Sequence, residues 1–156
     1  MVKEAVFNIL GSLEGAEVLD LFAGSGALGI EALSRGAAHV TFVERDERAM
    51  DVIRSNLGSL GYEERASLAR SEVTRWLAAH PRELAAARVV LADPPYNDAV
   101  LDRALQLLDE GVGDGALVMV EHSSRRELQE LPRLAAVRRR RYGDSSLTLL
   151  EAGPRR

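Results

Sequence analysis

The chain has 156 residues, 46% hydrophobic and 28% charged, with no cysteine, which suits one core and excludes disulfide frameworks, thiol redox chemistry and thiolate metal ligands. No apolar run approaches the roughly 18 residues of a membrane span, and the opening MVKEAVFNIL lacks the basic head and cleavage pattern of a secretory signal, so the expected location is cytoplasmic. The formal net charge of −4 conceals a polarity: residues 1–124 hold 11 basic and 20 acidic side chains, whereas residues 125–156 hold nine and four.

In chain order, Val2, Val6, Phe7, Ile9 and Leu10 have helical spacing, with Gly11 as a stop. Residues 17–21 read as a short apolar strand running into a glycine loop, and residues 26–35 as a helix ended by Gly36. A second strand at 39–43, a helix at 46–60, a weak strand at 65–68, a helix at 72–80 and a strong strand at 88–92 repeat the alternation. Residues 99–108 are again helical in spacing, and 116–120 are apolar enough for a strand covered on both faces. A short helix around 125–131 is predicted next, then strands at 134–141 and 146–150 joined by a turn at 142–145. Parallel strands need crossovers and hairpins do not. The pattern therefore predicts an α/β fold in one domain covering residues 1–156: a mostly parallel seven-stranded sheet, one antiparallel strand near its edge, and helices on both faces. Residues 153–156 read as a loose tail.

The loop after the first strand is LDLFAGSGALGI, residues 19–30. Gly24 and Gly26 allow a sharp turn and close approach to a ligand, and Gly29 sits where a helix can approach the sheet. This spacing also matches the dinucleotide fingerprint, so the glycines alone leave the cofactor open. Electrostatics separates the two readings. A pyrophosphate favours a helix N-terminus free of negative charge, but Asp20 lies four residues before Gly24 and no Lys or Arg is near. A carboxylate there suits S-adenosylmethionine, which carries a positive sulfonium and no phosphate. Glu44, at the end of the second strand, can accept both hydroxyls of a ribose. Phe22, Ser25 and Arg45 flank these positions and complete the candidate cofactor-binding set, with Glu72 as either an adenine acceptor or a helix cap.

Asp93, Pro94, Pro95 and Tyr96 follow the strong strand, at the carboxyl end where open α/β sheets place their ligands. The amino nitrogen of a guanine or adenine is a poor nucleophile because its lone pair is shared with the ring. Asp93 and the Pro94 carbonyl can each accept one amino hydrogen, which orients that nitrogen. The two prolines stiffen the backbone and offer no competing N–H, and Tyr96 can stack on the base. Together the glycine loop and this segment point to methyl transfer from S-adenosylmethionine onto an exocyclic amine of a nucleic-acid base.

The run Arg138 to Arg141, with Arg125, Arg126 and Arg133 before it, fits either phosphate contact or the solvated edge of a sheet kept charged against association. His39, His80 and His122 lack ligand spacing, so no metal site is expected; His122 reads as a local polar group.

VKEAVFNIL at residues 2–10, LDLFAGSGALGIEALSRGA at 19–37, FVERD at 42–46, LADPPY at 91–96 and RRYGDSSLTLLE at 140–151 resemble the bacterial 16S ribosomal RNA guanine N2-methyltransferases along nearly the whole chain. The resemblance implies a Rossmann-like class I methyltransferase that modifies one guanine amine in small-subunit ribosomal RNA, in an assembled or partly assembled subunit. It places the cofactor at Asp20, Gly24, Ser25, Gly26 and Glu44, and the catalytic segment at Asp93 to Tyr96. It also implies a partner, the small ribosomal subunit or its 16S rRNA, and a monomeric protein with no membrane or metal. Against that pattern the chain starts short, lacking a basic, glycine-containing extension that resembles an RNA-contacting hairpin. An adenine N6-methyltransferase acting on RNA or DNA, and a noncatalytic RNA-binding or assembly protein, are the alternatives.

Overall fold

The computed structural model describes residues 3–155; the helical position predicted for Val2, and Arg156 of the tail, lie outside the described residues. The elements are α1 (Lys3–Leu10), β1 (Glu17–Leu21), α2 (Ala27–Ser34), β2 (His39–Glu44), α3 (Glu47–Leu60), β3 (Ala66–Arg70), α4 (Val73–Ala79), α5 (Pro81–Ala86), β4 (Val89–Ala92), α6 (Asp98–Gly111), β5 (Leu117–Ser123), β6 (Leu134–Tyr142) and β7 (Ser145–Ala152), with a 3-10 turn at Glu63–Arg65. All seven strands join one sheet in the order β3-β2-β1-β4-β5-β7-β6. Pairing is parallel from β3 through β5, and β7 runs antiparallel to both β5 and β6. The reversed strand thus stands one place in from the edge, as the sequence predicts.

This order positions the site. The chain starts in the middle of the sheet at β1, builds outward to β2 and β3, then crosses back to lay β4 on the other side of β1. Connections above β1 and β4 therefore leave in opposite directions, opening a crevice at their carboxyl ends.

Alternation along the strands fills two layers. Val89 and Leu91 of β4 join Phe7, Leu33, Phe42, Ile53 and Met119 under α1, α2 and α3, while Val90 and Ala92 join Trp76, Leu77, Leu105 and Leu108 under α4, α5 and α6. Burial of β4 on both faces is why its sequence is an unbroken apolar run. Caps fix the helix starts: Asp46 accepts from the Ala49 N–H at 3.0 Å to begin α3, and Asn97 from the Val100 N–H at 3.2 Å to begin α6.

Two predicted elements need correction. The helix expected over 72–80 stops at Ala79 and a second, α5, starts at Pro81. Proline disfavours helical backbone at the residue before it, and its fixed φ suits the first helical position, so His80 becomes the break. The helix expected at 125–131 does not form; the segment is irregular. Side-chain tethers across α6 hold it instead: Arg126 pairs with Asp98 at 3.1 Å and with Asp102, and Gln129 Nε2 donates to the Asp102 carbonyl at 2.9 Å. Seven residues closed off by Pro132 cannot offset the cost of helix nucleation against such tethers.

Two of the arginines in the basic C-terminal stretch are therefore structural. Besides Arg126, Arg133 is spent internally: Nη1 donates to the carbonyls of Asp109 and Val112 at 2.7 and 2.8 Å and Nε to Gly153 at 3.1 Å. Buried Asp109 returns the tie, accepting from the backbone N–H groups of Arg133 and Leu134 at 2.9 and 2.8 Å. This clasp fastens the end of α6 to the start of β6.

Candidate active site

β1 delivers the chain into the glycine loop through Phe22, whose φ of 57° is the one positive value at a non-glycine among the described residues. A bulky side chain is strained there and is held by its surroundings. Gly24 and Gly26 also have positive φ, 57° and 80°, and the Gly26 N–H donates to the Ala23 carbonyl at 2.8 Å to close the turn. At Gly29 the helix touches the sheet: a Cβ there would lie 2.3 Å from the Phe42 ring and 2.8 Å from Asp20 Oδ2.

Asp20 lies beneath this loop, 2% exposed, with Oδ2 accepting from the Gly29 N–H at 3.0 Å. Burial raises its pKa to about 8, opposed by the Gly29 hydrogen bond and reinforced by the negative charges of Asp93 and Glu44. It acts on the loop from below and not as an open wall of the crevice. Glu44, ending β2, is braced at both oxygens: Oε1 accepts from the Gly24 N–H at 3.0 Å and Oε2 from the Asp46 N–H at 2.7 Å. Each oxygen keeps a lone pair for a ligand.

The crevice, about 570 Å³, is walled by Phe22, Glu44, Arg45, Glu72 and the segment from Asp93 to Asn97, among others. Eight of the twelve candidate residues thus share one wall; Asp20, Gly24, Ser25 and Gly26 form the loop and its floor beside it. Glu72 proves to be a cap. It accepts from the N–H groups of Thr74 and Arg75 at 3.1 and 3.0 Å to start α4, and its hydrogen bonds, the Thr74 hydroxyl foremost, hold its pKa below the ordinary value.

A second cavity, about 70 Å³, lies against the same Asp93 to Tyr96 segment and is lined also by Glu121 and Ser145. The segment therefore partitions two spaces. It is stiff: the Asn97 N–H donates to the Pro95 carbonyl at 2.6 Å, and no hydrogen bond among the described residues ends on the Pro94 carbonyl, leaving that acceptor available. Tyr96, 88% exposed, stands at the rim.

Sequence reasoning missed Glu121. The register pairs Ala92 of β4 with Val120 of β5, so the next residues on each strand, Asp93 and Glu121, stand side by side. Burial raises the Asp93 pKa to about 7, and the hydrogen bond and charge of Glu121 push it the same way. An Asp93 carboxyl that keeps its proton can donate it to the Glu121 side chain, which is why this neighbour raises the Asp93 value. The signal was register, which no local pattern carries. His122 also borders the small cavity, but it is 6% exposed and both ring nitrogens are engaged: Nε2 meets Thr148 Oγ1 at 2.7 Å and Nδ1 the Ser123 carbonyl at 3.0 Å. Burial keeps it neutral by lowering its pKa, the local polar role expected of it.

The sheet order with β7 reversed, the glycine loop after β1 and the carboxylate closing β2 define a Rossmann-like class I methyltransferase fold. The family described as Conserved hypothetical protein 95 matches residues 1–151, and the chain belongs to it. Over 146 residues it is 40% identical to the "Putative rRNA methyltransferase YlbH" of Bacillus subtilis, covering 91% of this chain and 79% of that protein. It is 34% identical over 134 residues to Ribosomal RNA small subunit methyltransferase D of Escherichia coli K12, spanning 84% of this chain and 66%, just under two thirds, of that enzyme's length. The solved structure described as "Putative methyltransferase yhhF from Escherichia coli" superposes with a TM-score of 0.90 at 32% identity, covering 99% of this chain and 86% of that one.

Proposed function

We propose that the chain is an S-adenosylmethionine-dependent methyltransferase that acts, as one domain, on the exocyclic N2 amine of a guanine in small-subunit 16S ribosomal RNA. Membership of a family whose relatives carry the name of ribosomal RNA small subunit methyltransferase supports the substrate. The observation that carries the chemistry is the stiff Asp93–Pro94 edge, with two acceptors between two cavities.

The residues present fit the cofactor. S-adenosylmethionine, when bound, supplies a methyl group on a positive sulfonium that departs as a neutral thioether. Glu44 is preset by two backbone donors to accept ribose hydroxyls, and Asp20 beneath the loop takes up the Gly29 N–H, a helix N-terminal donor that a pyrophosphate would otherwise use. Asp93 and the Pro94 carbonyl accept the two amine hydrogens, so the nitrogen lone pair is turned away from the ring and toward the crevice. Tyr96, exposed at the rim, offers its face to a base taken out of its stack. The proton that leaves the methylated nitrogen passes to the Asp93 carboxyl and on to solvent. Positioning thus does most of the catalysis, and Asp93 need not be a strong base.

Among the described residues no helix is long and apolar enough to cross a membrane; a monomer acting in the cytoplasm, where ribosomes assemble, fits this reading. The test is methylation of small subunits from a strain lacking this gene, with free rRNA and DNA alongside, followed by nucleoside mass spectrometry. N2-methylguanosine in 16S rRNA is the expected product. Predominant N6-methyladenine would move the assignment to the adenine enzymes, and RNA binding with no transfer to any substrate would remove catalysis altogether.

A further inference from the structure

The arginine run of β6 is used by neither the core nor the proposed chemistry. β6 is the edge strand, paired with β7 alone. Leu134 at its start is buried, yet all residues from Ala135 to Arg141 are exposed, so these side chains carry no packing role. A charged edge discourages strand-to-strand association, but one or two charges suffice for that, and four consecutive arginines place cations on both faces. Arg139 and Arg141 have local partners: Glu127 at 3.1 Å for the former, the Gly143 carbonyl at 2.9 Å for the latter. Arg138 and Arg140 have no hydrogen bond or ion pair among the described residues. Their register partners are Leu149 and Leu147, so both project from the sheet face on which α1 packs over β5 and β7.

This edge leads to the site. Ser145 pairs with Tyr142 of β6 and with Ser123 of β5, and it also lines the small cavity beside Asp93 and Tyr96. At about 3.3 Å per residue, Arg140 stands about 7 Å and Arg138 about 13 Å along the strand from that rim. Arg125, exposed two residues past Ser123, adds a cation at the same end. The rest of the chain is a poor host for phosphate, since residues 1–124 carry a net −9 and residues 125–156 a net +5.

We propose that the β6 edge, through Arg138 and Arg140 with Arg125 at its mouth end, holds the phosphate backbone of the RNA flanking the target base. The inference rests on the rRNA methyltransferase reading and adds the path of the substrate strand. Phosphate contacts of this kind set register without reading sequence, and the forked guanidinium suits them better than an ammonium would.

The test compares wild type with the Arg138→Ser/Arg140→Ser and Arg138→Lys/Arg140→Lys double variants, titrating a 16S rRNA transcript from about 50 to about 200 mM salt. Each phosphate contact contributes roughly 0.7–0.9 to the slope of log affinity against log salt, so the serine variant should lose roughly 1.4–1.8 of slope and bind on the order of 10-fold more weakly. The lysine variant should restore most of the slope. An unchanged slope in the serine variant overturns the proposal. So does a loss seen on assembled subunits and absent on the naked transcript, which assigns this edge to a ribosomal protein. Failure of the underlying reading looks different: arginine-dependent RNA binding with no methyl transfer leaves the surface standing and removes the activity. Full N2 methylation by the serine variant at wild-type affinity keeps the activity and removes the surface.

Discussion

Asp93 and Glu44 lie in the same crevice wall, but the proposed roles separate them kinetically. Asp93→Ala removes one of two acceptors for the amine and should lower kcat on the order of 100-fold or more while cofactor affinity, read by calorimetric titration, stays within a few-fold. Glu44→Ala should do the reverse, since loss of hydrogen bonds to a charged group costs about 1.5–3 kcal/mol of binding, roughly 10- to 100-fold. A folded Asp93→Ala protein with full activity would remove the carboxyl from the mechanism. The neighbour makes a sharper test. With Glu121 beside it, Asp93 titrates near 7, so the log kcat profile should fall as pH drops below that value and the acceptor is protonated. Glu121→Gln takes away the adjacent negative charge and substitutes an amide that can donate to Asp93. Both changes favour the ionised carboxylate, so the inflection should move to lower pH; a profile that does not move would detach Glu121 from the site.

At the level of elements, the glycine loop depends on how closely α2 can sit on the sheet. Gly29→Ala puts a methyl 2.3 Å from the Phe42 ring and against Asp20, so α2 must shift outward. The expected cost is about 1–3 kcal/mol in chemical denaturation, with weaker cofactor binding because Gly24 and Gly26 move with the helix. An alanine variant as stable as wild type would show that α2 does not press on the Phe42 ring at this position. The same elements show what a linear sequence can reveal. β1 was legible to the residue because a short apolar run stops at a glycine loop, and β4 to within one residue because it is apolar throughout and is followed closely by two prolines. The break at His80 was also present in the letters, in Pro81, but helical spacing on both sides hid it. Residues 124–133 were not legible: whether Arg126 and Gln129 point to water or grip Asp98 and Asp102 depends on α6, reached only after folding. For the same reason Asp109 and Arg133 read as surface charges although they tie α6 to β6, and Glu121 entered the site through a strand pairing no local window contains.

For the molecule as a whole, its stability is linked to a proton held under the loop. Asp20 titrates near 8 in the folded protein but near 3.9 in an unfolded chain. Between those values the folded state retains a proton that the unfolded state has released, so stability should be greatest at the acid side of the window and decline as pH rises toward 8. Melting temperatures of the cofactor-free protein should fall from pH 5 to pH 8; Asp93, raised to about 7, adds to the fall below that pH, so Asp20→Asn, which cannot ionise, should reduce the slope throughout and flatten it most between pH 7 and pH 8. An equally steep decline in the asparagine variant would place the linked proton elsewhere.

The position of β7 has a consequence for synthesis. This strand follows β6 in the chain but lies inside it, next to β5. While a ribosome is still translating residues 145–152, the backbone edge of β5 has no neighbour and β6 has nothing to pair with. Closure must await insertion of the finished hairpin, a late, long-range step of the kind that leaves nascent chains open to misassembly. A chain halted just before Ser145 is expected to emerge as insoluble protein, with no smaller working domain to be recovered from it, and fractionating such a truncation after expression is a direct check.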